Sequence, residues 1–112
     1  MASPQKRTYF PVTRDATGLL GKLIRLGRRE RKMTEEELSG RAGISRRTWQ
    51  KIERGDLKCE IGLFFEVATL VGVRLFGDEM SANLPGQITR IEDKLALLPQ
   101  RVQSSLKVDD EF

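Results

Sequence analysis

The chain has 112 residues, 38% hydrophobic and 32% charged, with a net charge of +4, one cysteine and no histidine. That length holds one small core plus tails. No run of apolar residues is long enough for a membrane span, and the N-terminal stretch has no apolar h-region, so no signal peptide is expected. The missing histidine removes the commonest general base and metal ligand. With no glycine-rich phosphate loop and no nucleophile beside a base, an enzyme is not expected. A lone Cys59 makes no internal disulfide, which suits the cytoplasm, and without partner ligands it suggests no metal or other cofactor.

Charge is unevenly spread. Residues 1–58 carry fifteen Lys and Arg against seven Asp and Glu, a net +8, whereas residues 59–112 carry five against nine, a net −4. The basic half predicts a polyanionic partner.

Residues 1–16 show no helical period and read as a basic arm with Lys6, Arg7 and Arg14. It is a solvated terminus, an arm that touches DNA backbone or minor groove, or a segment packed through Tyr9, Phe10 and Val12. From residue 17 to about 32 a first helix is expected. Leu19, Leu20, Leu23, Ile24 and Gly27 form its apolar stripe, and Arg25, Arg28, Arg29, Arg31 and Lys32 crowd its C-terminal half. Cations there complement the helix dipole, and their number also suits phosphate contact.

Residues 34–55, TEEELSGRAGISRRTWQKIERG, organise the rest. Thr34 and Glu37 make a capping box. Glu35, Glu36 and Glu37 stabilise the helix N-terminus, because consecutive helical residues point apart and cannot form a shared carboxylate site. Leu38 and Ala42 share one helix face, and Trp49 and Ile52 share a face of the next. Ser39 is small, Gly43 allows a sharp turn, Ser45 caps the following helix and Gly55 ends it. A small residue, a glycine four positions on and two apolar positions on the next helix make a helix-turn-helix pattern. The outward face of its second helix carries Ser45, Arg46, Arg47, Gln50 and Lys51, all polar and none acidic, which points to DNA binding. Trp49 is expected in the core, its indole N–H seeking a partner. Glu53 and Arg54 read as surface residues.

The segment from about Leu19 to Gly77 resembles the Xre, or Cro/CI-repressor-like, helix-turn-helix family, most specifically in LGKLIRLGRRERKMTEEELSGRAGISRRTWQKIERG. The resemblance implies an all-α, lambda-repressor-like DNA-binding domain of four to five helices over residues 17–77, usually dimeric and usually a repressor. Carried over residue by residue, Ser45, Arg46, Arg47 and Lys51 occupy base-facing positions. Gln50 lies near the backbone, and Glu53 pairs with an arginine of the first helix. Arg28, Arg29, Thr34 and Lys58 are further candidates for phosphate contact.

Ile61, Phe64, Phe65 and Ala68 recur at helical spacing, so a fourth helix is expected over 60–71, ended by Gly72. Val73 to Gly77 reads as a short helix or turn, although its alternation also fits a strand. Leu75 and Phe76 there are apolar enough for dimer contact. Residues 78–83 read as a linker. Leu84, Ile88, Ile91, Leu95 and Leu98 then form a coiled-coil seam over a helix of residues 84–98, with Pro85 near its first turn. So short a helix is marginal alone, and it packs either on its own domain or across a dimer. Residues 99–112 form an acidic tail ending in Phe112, either solubilising or a peptide that docks into a partner.

The expected function is a sequence-specific repressor, homodimeric on a palindromic operator in the bacterial nucleoid. The short extra C-terminal region also resembles HipB-type antitoxins, which repress their own operon and bind a HipA-like kinase toxin. The alternative is a stand-alone or phage-type repressor with no protein partner.

Overall fold

A computed structural model describes residues 7–101 and, of Ser81, only the backbone. Among the described residues there are six helices and no strand: α1 (Pro11–Glu30), α2 (Glu35–Ala42), α3 (Arg46–Glu53), α4 (Ile61–Leu70), α5 (Gly77–Ser81) and α6 (Leu84–Ala96). The described chain is therefore all-α. Among the described residues no helix is long and apolar enough to cross a membrane. The chain divides into two compact units at Leu75 and Phe76.

In the first unit α1 is longer than its leucine pattern suggests. It begins at Pro11, which takes a first-turn position where its missing N–H costs nothing. Residues 11–16, expected in an extended arm, are thus its first turns. Its core face also differs from the expected stripe. Ile24, Gly21 and Gly27 are buried, and Leu20 packs beside them. Leu19 and Leu23 face solvent. The reason is that the glycine side of α1 admits neighbouring backbone. A Cβ on Gly21 would lie 2.7 Å from the carbonyl oxygens of Ile52 and Glu53, and one on Gly27 would lie 2.7 Å from that of Val71. Apolar spacing shows where leucines lie but not where backbones meet.

The turn between α2 and α3 forms as the residues predict. Thr34 Oγ1 accepts from Glu37 N–H while Glu37 accepts from Thr34 N–H, closing the capping box. The Glu37 carboxylate accepts from the Thr34 N–H and also from the Thr34 hydroxyl, and these two hydrogen bonds hold the exposed carboxyl below the ordinary value. Gly43 is left-handed at φ +73°, and Ile44 N–H bonds back to the Ser39 carbonyl. Ser45 then caps α3 by accepting from Thr48 N–H. Lys32 occupies the equivalent left-handed position after α1, with Met33 N–H bonded to the Arg28 carbonyl.

The core is Ile24, Leu38, Trp49, Ile52, Phe64, Val67, Ala68 and Val71. Burying each large apolar side chain contributes about 1.5–3 kcal/mol. Ile61, expected in this core, is 68% exposed. It sits at the very start of α4 and overhangs the groove beside Ala16 and Leu20. Leu75, expected as a partner contact, packs against the core instead.

In the second unit the residues expected to be a linker contain α5, and α6 ends at Ala96 rather than Leu98. Asn83 caps α6 by accepting from Gly86 N–H. No residue of α6 is buried. Phe112 lies outside the described residues.

Replacing Gly21 with Ala drives a methyl into two carbonyls of α3 that cannot rotate away. We expect a loss of about 1–3 kcal/mol, read from urea-unfolding midpoints, with Gly18→Ala, where the space is open, as the tolerated control.

Candidate nucleic-acid interface

The positioning of α3 rests on one carboxylate. Glu53, expected at the surface, is 3% exposed. It lies one turn after Trp49, and the Trp49 indole N–H donates to its Oε2 at 2.6 Å. Arg28 of α1 grips the same carboxylate with two donors, Nε to Oε2 at 2.6 Å and Nη2 to Oε1 at 3.2 Å. Arg25 Nε adds a third contact at 3.3 Å. Arg28 also donates to the Met33 carbonyl, which leads into α2. Burial pushes the Glu53 carboxyl up, but the hydrogen bonds from Arg28, Trp49 and Arg25 and the charge of Arg28 outweigh it. The group is held below the ordinary carboxylate range. The same hydrogen bond to Glu53 raises Arg28.

The pairing of Glu53 with an arginine of the first helix is thus present. It makes Arg28, whose side chain is 12% exposed, a structural residue first, its fork committed to Glu53. Three of its five N–H donors are engaged by Glu53 and the Met33 carbonyl, and pulling the fork off for a phosphate would leave Glu53 buried and unpaired.

With its only acid buried and paired, α3 presents an outward face with no negative charge. Arg46 and Arg47 open the helix and are exposed, and Lys51 follows one turn on, half-buried. The other expected base-facing residue, Ser45, uses its hydroxyl in the cap. Gln50 donates to Glu35 Oε1 at 3.2 Å, which ties α3 to the start of α2. Glu35 also lies 3.8 Å from Arg46 Nε, a loose pair that leaves the arginine side chain 62% exposed. Of the expected backbone contacts, Arg29 and Lys58 are exposed, whereas Thr34 Oγ1 is engaged by Glu37. Lys58 sits in an Asx-type turn, its N–H bonded to Asp56 Oδ1 at 2.8 Å. Glu35 thus braces Gln50, a role that its residue type and spacing do not reveal. Its only signal was its place in the first turn of α2.

No group of His, Cys, Asp or Glu among the described residues could hold a metal ion. Burial, and then Asp56, push the Cys59 thiol up, the opposite of what an activated thiolate needs.

Set against family models, curated proteins and solved structures, the chain matches none. What it binds must therefore be argued from its own geometry.

The Glu53 pairing has a pH signature. A carboxyl with a lower pKa folded than unfolded binds fewer protons in the folded state, so its contribution is complete above the usual value of about 4.3. It is lost as the pH falls through the lower folded value. Glu53→Gln leaves Arg28 without its counter-charge, and we expect it to cost about 3–5 kcal/mol at neutral pH. Urea unfolding of both proteins from neutral to acid pH should show the gap closing on the acid side. A gap that stays constant with pH would mean that the Glu53 charge is not the source of the loss.

Proposed function

We propose that the protein is a sequence-specific DNA-binding repressor with a lambda-repressor-like domain, in which α3 is the recognition helix of a helix-turn-helix formed with α2. The observation that carries this is the outward face of α3. Arg46, Arg47 and Lys51 stand on it, the helix N-terminus leads, and its one acid is withdrawn into the core. A recognition helix meets base edges mainly through its N-terminal residues, and arginine matches the paired acceptors of guanine in the major groove. Arg29 and Lys58 supply phosphate contacts that set register without reading sequence. The mechanism involves no bond making. A homodimer places two such helices about 34 Å apart on a palindromic operator, and bound protein excludes polymerase.

A second reading adds a protein partner to the same repressor, an antitoxin bound to a HipA-like kinase toxin. It is favoured by α6, thirteen residues long with nothing buried, since a helix of that length is not stable uncovered in water. Pull-down from the native host with full-length protein would yield a stoichiometric kinase-like partner under this reading. Recovery of operator DNA alone would leave the stand-alone repressor.

Arg47→Ala should cost about 1–3 kcal/mol on an operator selected from random duplexes and relax preference at one base pair. Lys58→Ala should weaken all sequences alike and reduce the salt slope by about one. Anisotropy titrations at two salt concentrations separate these outcomes. Equal loss on operator and scrambled DNA would make Arg47 a phosphate contact, and absence of selectable DNA would sink the repressor reading.

A further inference from the structure

The leucines that α1 turns away from the core form a second stripe. Val12, Ala16, Leu19, Leu23 and Leu26 recur at spacings of four and three over about four turns, the repeat of a coiled-coil seam. Each is exposed, Val12 at 72%, Leu19 at 58% and Leu26 at 53%. A row of apolar side chains this long marks an interaction surface. By the helical period it lies on the opposite side of α1 from Gly21, where α3 packs. A molecule seated on the stripe therefore leaves the outward face of α3 open.

Flanking charges select the occupant. On the solvent edge of the stripe stand Asp15 and Lys22, seven residues apart and opposite in sign. Neither has an ion-pair partner among the described residues. When two copies of α1 lie antiparallel, Leu19 packs against Ala16 of the other copy and Leu23 against Val12, so large residues meet smaller ones. In that register Asp15 of each copy falls beside Lys22 of the other, twice per dimer. A parallel pair brings this edge against the core-facing side of the partner helix, where Leu20 and Gly27 offer no charge.

We propose that the α1 stripe is a two-fold, antiparallel docking surface for α1 of a second copy of this chain. The contact is isologous, as a closed symmetric dimer requires. It goes beyond the repressor reading, and it is measured without DNA, so it can fail or hold independently. It also frees the apolar face of α6 for another molecule.

The test is a charge exchange in the full-length chain, followed by sedimentation equilibrium. D15K sets lysine against Lys22 of the partner, and K22D sets aspartate against Asp15. Each single variant should weaken the dimer on the order of tenfold, since exposed pairs are individually modest and two are reversed. The double variant D15K/K22D should restore it. So should an equal mixture of the two single variants, because the mixed dimer alone has both pairs of opposite sign. Leu23→Asp should weaken the dimer on the order of a hundredfold, with an unchanged circular dichroism spectrum, since Leu23 lies outside the core. A wild-type monomer overturns the proposal. So does a dimer indifferent to these variants, which places the contact elsewhere, on α6 among other surfaces. Failure of the mixture to recover the dimer overturns the antiparallel register.

Discussion

Two helices meet on the carboxylate of Glu53, and the approach to a third is tied to them through Arg28. Arg28 reaches it from α1 with a fork of two donors, the Trp49 indole N–H reaches it within α3, and a further donor of Arg28 holds the Met33 carbonyl at the approach to α2. Removing so many polar groups from water costs several kcal/mol per ion, and well-packed apolar residues could match the net stability. A fork onto a carboxylate does something that apolar packing does not. Its donors lie in one plane at fixed spacing, so it sets the angle and height of one helix against another. The outward aim of Arg46 and Arg47 follows from that setting. The same burial takes the one acid of α3 away from the face that those arginines present.

Packing in the first unit is organised by backbone approach as much as by side-chain bulk. At Gly21 and Gly27 neighbouring carbonyls come closer to α1 than any Cβ would permit. Three of the four leucines of α1, Leu19, Leu23 and Leu26, lie on the far side, and only Leu20 packs against the core. One helix therefore carries two functions on its two sides: a glycine face that holds α3 and α4 in place, and a leucine face with charges along one edge. A helix solely devoted to the core would have had its leucines where the glycines are.

The local signals of the sequence were read correctly where their physics is local. The capping box at Thr34, the left-handed turn at Gly43, the cap at Ser45 and the break at Gly55 each depend on a few consecutive residues. So do the cluster of basic residues at the start of α3 and the inward placement of Trp49 and Ile52. Readings that required knowing what lay opposite fared differently. Ile61 shares the period of Phe64 and Ala68 but stands beyond the edge of the core. Leu19 and Leu23 have the right residue type on the wrong side. Glu53 and Arg28 read as surface charges from their own neighbourhoods; the resemblance implied a first-helix arginine for Glu53, but which one, and that the pair is buried, depends on a partner twenty-five residues away.

By itself the sequence determined the all-helical class, the sites where α2 and α3 start and stop, and the absence from α3 of any acid other than Glu53. These follow from backbone preference, capping and the 3.6-residue period, which act over one or two turns. Only the tertiary structure decided which face of α1 is inside, because glycines there contribute contact without contributing hydrophobicity. It alone decided that Arg28 is a structural residue and that Arg29 and Lys58 stand free, because identical side chains differ only in what the fold brings within reach.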